Sequence, residues 1–298
     1  MFNQTDKIAS RHLGKKSANS ETYSKDLLVA IPRIENRKQY NISNKDLPFE
    51  GYDIWHGYEF STLTKNGIPI TRVLKLKYNC NSEFLVESKS LKLYLNSFNM
   101  SRFGNSIEEA LNISQSLIKK DLSEILATDV DVNFLDNNAA RIEIFNEFEN
   151  IFNYINEENI KIEHFKEAPE LLKTTEDIKK EYFLTFDSLR SNCRVTHQPD
   201  FGDVFIYYKS DKHIIESSLV KYLSSFRSEY HFHEECVEMI YKRISDVLNP
   251  NDELFISALY TRRGGIDICP VRWSSNISRD FASNLLDINS LARSGIKQ

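Results

Sequence analysis

Apolar and polar residues alternate most clearly at 73–78, where Leu74, Leu76 and Tyr78 share a face opposite Lys75 and Lys77. That period of two predicts a half-buried β-strand. The period changes after Ser106. This serine and Glu109 form a capping-box pattern, and Ile107, Ala110, Leu111, Leu117, Ile118, Leu122 and Ile125 then recur at helical spacing. Strand patterns return at 130–134 and 142–145, while the charged run 157–180 predicts irregular or edge structure. Beyond it, 181–186 is β-prone and 204–208 is a β-branched and aromatic run. A helix is predicted from about Glu234, with Val237, Ile240, Ile244, Val247 and Leu248 on one face, until Asn249-Pro250-Asn251-Asp252 stops it. A last strand is predicted at 254–260. The first forty residues carry lysine, serine and asparagine without periodicity and predict an arm rather than a core element.

The order of elements repeats. Ser90-Leu91-Lys92-Leu93-Tyr94-Leu95-Asn96-Ser97-Phe98 aligns with Ser218-Leu219-Val220-Lys221-Tyr222-Leu223-Ser224-Ser225-Phe226, and six of nine positions are identical. Glu-Ser precedes both copies with one residue of slip, at Glu87-Ser88 and Glu216-Ser217, and a long amphipathic helix follows each. Chance likeness of two short helices is the plain alternative, and the shared flanking order argues against it. A duplicated β-β-α-α-β-β unit is predicted, with modules at 1–175 (1–40 being the arm) and 176–298.

Composition narrows the classes. The chain has 298 residues, is 41% hydrophobic and 27% charged, and so has the balance of a globular protein of about two domains. Its 38 basic and 43 acidic residues give a net charge of −5, which argues against a general nucleic-acid binder. No run of 18 apolar residues occurs, and residues 1–20 lack the apolar core of a secretory signal. The four cysteines form no C-x-x-C pair and are expected as reduced thiols in the cytoplasm. With nine glycines and neither G-x-G-x-x-G nor a P-loop, a Rossmann or P-loop nucleotide site loses support.

Four segments carry candidate chemistry. Cys193 has polar neighbours, with Arg194 adjoining and a Pro199-Asp200 turn downstream, which favours an exposed, supported thiolate over an inert buried thiol. His231-Phe232-His233-Glu234-Glu235-Cys236 suggests zinc at first sight. However, positions i and i+2 do not share a helix face, so metal is the weaker reading. His233 and Glu234 at a helix start suit a proton donor and a ligand-directed carboxylate, although glutamate there also serves as ordinary first-turn decoration. Glu87-Ser88-Lys89-Ser90 can bind a polar heterocycle and an anion, and Arg262-Arg263-Gly264-Gly265 suits a phosphate; either is also a plain surface segment or turn.

Together, the run Glu87-Ser88-Lys89-Ser90-Leu91-Lys92-Leu93-Tyr94, Cys193 with Asp200, Phe232-His233-Glu234 and Arg262-Arg263-Gly264-Gly265 are far more specific than any one alone. The chain resembles the NADPH-dependent 7-cyano-7-deazaguanine reductase family in its long two-module form, from about Tyr52 to Pro270, with 137–180 the least similar part. The resemblance implies an α+β fold of tandem tunnelling-fold modules, in which antiparallel sheets are backed by helices. It implies Cys193 as nucleophile, Asp200 as an acid held protonated by burial, and His233 as the later proton donor. Val86, Glu87, Ser88, Phe232, His233 and Glu234 would bind the substrate, 7-cyano-7-deazaguanine. Ser88, Lys89, Arg263 and Gly264 would hold NADPH, two molecules of which are used per turnover, with no metal. A cytoplasmic homodimer without direct nucleic-acid or membrane contact is expected. The first copy has Asn105 where His233 stands in the second, and the second has Glu-Ser-Ser for Glu-Ser-Lys-Ser, so a complete site must form where unlike halves meet. The competing readings are a zinc- or acid/base-dependent hydrolase of the same fold, similar to GTP cyclohydrolase, and a non-catalytic purine- or tRNA-binding relative. The basic stretch 11–16 receives no role.

Overall fold

The computed structural model describes residues 22–297. Strand β1 (Ala30–Pro32) and the single turn α1 (Ile34–Arg37) lead into a long hairpin of β2 (Glu50–Thr64) and β3 (Pro69–Asn79). Next come β4 (Phe84–Val86), α2 (Ser88–Asn96), β5 (Arg102–Phe103), α3 (Ile107–Leu126), β6 (Val130–Leu135), β7 (Ala140–Glu143) and β8 (Glu149–Asn150). The second half opens on a hairpin of β9 (Thr174–Asn192) and β10 (Pro199–Ile214), followed by α4 (Glu216–Ser224) and α5 (His233–Val247). Strands β11 (Glu253–Tyr260) and β12 (Ile266–Trp273), α6 (Ser283–Leu286) and β13 (Ser290–Arg293) complete it.

One nine-stranded, largely antiparallel sheet runs through both halves in the order β6-β3-β2-β12-β11-β10-β9-β8, with β5 beside β2. The halves join where β12 pairs with β2, from Ile266 opposite Gly57 to Trp273 opposite Glu50. A Cβ on Gly51 would lie 2.0 Å from the Val271 carbonyl oxygen, so this seam requires glycine. Helices α2 and α3 pack on one sheet face through Leu91, Tyr94, Ile118 and Leu122, against Trp55, Leu74 and Leu76. Helices α4 and α5 cover the same face of the second half through Leu219, Tyr222, Val237 and Ile240, against Val204 and Ile256. The opposite face, including Ile54, Phe205 and Val271, is covered by Phe145, Phe148 and the C-terminal segment around Leu285. The class is α+β.

The repeat extends to individual hydrogen bonds. In α2, the Ser90 hydroxyl donates to the Glu87 carbonyl at 2.7 Å and Ser97 to the Tyr94 carbonyl at 2.6 Å. In α4, Ser218 donates to Ile215 at 2.7 Å and Ser225 to Tyr222 at 2.6 Å. Tyr94 meets Phe98 edge-on at 5.3 Å, and Tyr222 meets Phe226 edge-on at 5.4 Å. The one-residue slip has a structural meaning. Glu87 is the N-cap of α2, whereas Ile215 caps α4 and Glu216 lies inside its first turn.

Three expectations need correction. Residues 22–40 are no arm: β1 pairs with β4, and Arg33 and Arg37 are buried. They read as polar tail because their partners are remote in sequence. Arg33 bonds to Asp53, and Arg37 donates to both oxygens of Glu238 at 2.8 and 2.6 Å. Arg272 completes this buried network, donating to Asp53 at 2.8 Å and Glu238 at 2.9 Å. Second, regular strand begins at Thr174 rather than after Lys180, because β10 supplies a partner as far as Ile214 opposite Thr174. Third, Ile107 is exposed at the mouth of α3 while Ala110, Ile118 and Leu122 face the core. Residues 1–21, with the basic stretch 11–16, lie outside the described residues. No described helix is long and apolar enough to cross a membrane.

Candidate active site

The site is a cavity of about 410 Å³ lined from both halves of the chain by Glu87, Ser88, Lys89, Cys193, His233 and Arg263, among others. Local structure aims each of them. The Glu87 N–H donates to Val29 at 2.9 Å, and its carboxylate accepts from the Lys89 and Ser90 N–H groups at 3.1 and 2.7 Å. This N-cap starts α2 and turns Ser88 and Lys89 toward the cavity. Cys193 opens the turn between β9 and β10. Its N–H donates to Gln198 at 2.9 Å, its carbonyl accepts from His197 at 2.9 Å, and His197 takes the left-handed φ of 57° that closes the turn. Asn192 donates to Glu229 at 2.8 Å and accepts from His231 at 3.0 Å, which ties this turn to the start of α5. Cys193 and His233, forty residues apart in sequence, therefore face one cavity.

Two cations meet the reactive groups. The Lys89 ammonium lies 3.8 Å from the Cys193 sulfur. Arg263 bonds to Asp200 and donates to Gln198 at 2.6 Å, and Asp200 lies 3.8 Å from His233 Nε2. The sequence reading expected an exposed thiol beside Arg194; Cys193 is instead buried, because the β9–β10 turn folds it into the cavity wall. The Arg194 guanidinium bonds to Asn36 and lies 3.3 Å from Glu235, so it anchors the turn. The reading of Asp200 as an acid held by burial alone omitted Arg263, which pairs with it.

Not every expected residue reaches the cavity wall. Val86, Asp200, Phe232 and Glu234 are buried behind it, and Phe232 packs against Ile31, Leu85 and Val195. His231, His233 and Cys236 do not converge. His231 faces Tyr40 and Glu235, His233 stands edge-on to Tyr260 at 4.0 Å, and Cys236 lies in the core. Among the described residues, the ligand-type side chains that do cluster are His56, Asp267 and Cys269. There, however, Asp267 already accepts from Tyr58 and pairs with His56 at 2.6 Å.

Sequence reasoning missed Lys92, Gln198 and Thr261, which also line the cavity. Lys92 was findable, since position i+3 from Lys89 shares its helix face. Gly264, at φ 59°, brings its backbone so close that a Cβ there would lie 2.7 Å from the Lys92 ammonium. Lys89, Lys92 and Arg263 thus ring a cavity with close backbone approach, a donor set that fits the phosphates of a nicotinamide dinucleotide.

Burial lowers the His233 pKa and so keeps the ring neutral, the nearby Arg263 and Lys89 charges acting in the same sense and Asp200 against them. Burial, reinforced by Asp53, pushes the Glu234 carboxyl up to about 8, and its Oε1 has no hydrogen-bond partner. A carboxyl with a raised folded pKa holds its proton in the native state between pH 4.5 and about 8, where the unfolded chain has released it. This group therefore makes its full contribution below pH 4.5 and loses it as pH rises toward about 8. Glu234→Gln is expected to gain stability relative to the parent as pH rises from 5 to 8, measured by paired thermal melts. A constant difference would contradict this assignment.

Comparison with known proteins identifies the family. The family described as "Nitrile reductase, 7-cyano-7-deazaguanine-reductase N-term" matches residues 19–134, and "QueF-like protein" matches 199–278. The chain is 38% identical over 289 residues to an NADPH-dependent 7-cyano-7-deazaguanine reductase of Colwellia psychrerythraea, covering 95% of this chain and 98% of that one. It is 40% identical to the enzyme of that name from Buchnera aphidicola, over 85% of this chain and 94% of the relative. For that of Rickettsia bellii the identity is 41%, over 89% and 93%. The chain belongs to the NADPH-dependent 7-cyano-7-deazaguanine reductase family.

Proposed function

We propose that this protein reduces the nitrile of 7-cyano-7-deazaguanine to 7-aminomethyl-7-deazaguanine with NADPH, in tRNA queuosine biosynthesis, through a covalent thioimide on Cys193. The observation that carries the reading is the cavity in which Cys193, supported by Lys89 at 3.8 Å, faces His233 and Arg263.

The Cys193 thiolate attacks the nitrile carbon, forming a C–S bond and sending one π pair to nitrogen, which takes a proton from Asp200. Arg263 is in place to pair with the carboxylate that results. When bound, NADPH would supply a hydride to that carbon; the C–S bond then breaks with its pair returning to the Cys193 sulfur, and the imine carbon left behind would take the hydride of a second NADPH. His233, kept neutral by burial, relays protons to the developing amine. Glu87 and Glu234 accept from the N–H edge of the deazaguanine ring. Glu234, buried behind the cavity wall, keeps its proton in the empty site up to about pH 8 and would release it on accepting from the N–H edge, which gives its Oε1 the partner it lacks. Ser88, Lys89, Arg263 and Gly264 hold the cofactor, while Val86 and Phe232 shape the base pocket from behind its wall. Residues 1–175 and 176–298 are read as two tunnelling-fold modules, supported by the hydrogen bonds shared between α2 and α4. A cytoplasmic homodimer that works without metal completes the reading.

Mixing the protein with 7-cyano-7-deazaguanine and NADPH in the presence of EDTA is expected to oxidise two NADPH per nitrile consumed. Absence of NADPH oxidation by folded protein that binds the base would overturn the reading.

A further inference from the structure

Of the cations near Cys193 (Lys89, Lys92, Arg194 and Arg263), the two arginines are committed elsewhere. Arg194 serves Asn36 and Glu235, and its guanidinium also lies over the Phe232 ring at 5.9 Å. Arg263 serves Asp200 and Gln198. The N–H groups that open α2 are taken by the Glu87 carboxylate, so that helix terminus offers the thiol little. Of the two lysines on the cavity wall, Lys89 is the one placed against the sulfur, its ammonium 3.8 Å from Sγ. We propose that Lys89 is the counter-ion that keeps Cys193 in its thiolate form before cofactor binds, acting as a catalytic residue as well as a cofactor ligand. The inference rests on Cys193 being the nucleophile.

The chemistry is an equilibrium rather than a transfer between the two side chains. The thiol proton leaves to solvent, Lys89 stays an ammonium throughout, and the attraction between opposite charges favours the ionised sulfur. At this separation, with Cys193 only 8% exposed, the attraction is screened far less than on an open surface. The arrangement also couples activation to assembly. Lys89 belongs to α2 in the first half and Cys193 to the β9–β10 turn in the second, so the thiol gains its counter-ion only when the halves are docked.

The test uses the full chain without nitrile or NADPH and follows alkylation of Cys193 by iodoacetamide, resolved by peptide mass. In that reaction the thiolate forms a C–S bond and iodide leaves. Cys80, Cys236 and Cys269 are each at most 1% exposed, and peptide analysis separates them. Lys89→Met is expected to slow Cys193 alkylation roughly tenfold at pH 7 and to approach the parent rate at pH 10, where the thiol ionises unaided. Lys89→Arg should restore most of the neutral-pH rate, and Lys119→Met, an exposed lysine of α3 outside the cavity, should leave it unchanged. Three results would overturn the inference: an unchanged rate in Lys89→Met, an equal slowing at every pH, or the same shift from Lys119→Met. Failure of the nucleophile reading has a different signature. The nitrile would then leave no adduct on Cys193 although its alkylation still depended on Lys89.

Discussion

Cys193→Ala is expected to lose nitrile reduction by a factor of about 10⁴ or more in kcat, because removing the nucleophile removes the covalent route altogether. A nitrile carbon is a poor hydride acceptor until sulfur adds to it and nitrogen gains a proton. Asp200 and His233 alone have no bond to make with that carbon, so the loss should not be shared out among neighbours. Folding should survive, since the substitution removes a single sulfur at a cavity wall and leaves the turn's hydrogen bonds between Cys193, His197 and Gln198 on the main chain. Single-turnover NADPH oxidation checks this, with thermal melts as the control. Reduction at more than about a hundredth of the parent rate would contradict a role for Cys193 as nucleophile.

Glu238→Gln is expected to destabilise the fold by about 3–5 kcal/mol, the usual consequence of removing one member of a buried charge set. Burial alone would raise the Glu238 carboxyl. Arg37 and Arg272 overrule it and hold the group down to about 2. The substitution leaves Arg33, Arg37 and Arg272 facing Asp53 with too little negative charge. Because this folded pKa is depressed, its contribution is present above the ordinary carboxylate value of 4.5 and is lost as pH falls toward about 2. The parent should therefore lose its advantage over Glu238→Gln in acid. Urea denaturation at pH 7 and pH 3 measures both. A difference under about 1 kcal/mol at pH 7 would show the network to be replaceable. Since the same α5 carries Glu234 one turn earlier, the network also fixes the face from which that carboxyl approaches the site.

The sequence exposed what was local or repeated. The S-L-x-x-Y-L-x-S-F segments became two helices with matching serine bonds, and the alternation of Leu74, Leu76 and Tyr78 became β3. The asymmetry between Glu87 and Ile215 at the two caps was visible only as a one-residue slip. Long-range charge pairing left no such trace. Arg33 and Arg37 look like tail residues until Asp53 and Glu238 are brought against them by a sheet that spans the chain. The same reason explains the thiol's cation. Arg194 is adjacent in sequence, yet the turn sends it to Glu235, and the ammonium that reaches the sulfur comes from a helix 104 residues away.

Covalent capture of the nitrile by Cys193 is the central claim, and intact-protein mass after mixing with 7-cyano-7-deazaguanine in the absence of NADPH tests it most directly. The expected result is a gain equal to one molecule of the nitrile on the parent chain, absent from Cys193→Ala and discharged on adding NADPH. An unmodified mass in folded parent protein that still binds the base, or an adduct that persists in Cys193→Ala, would contradict it.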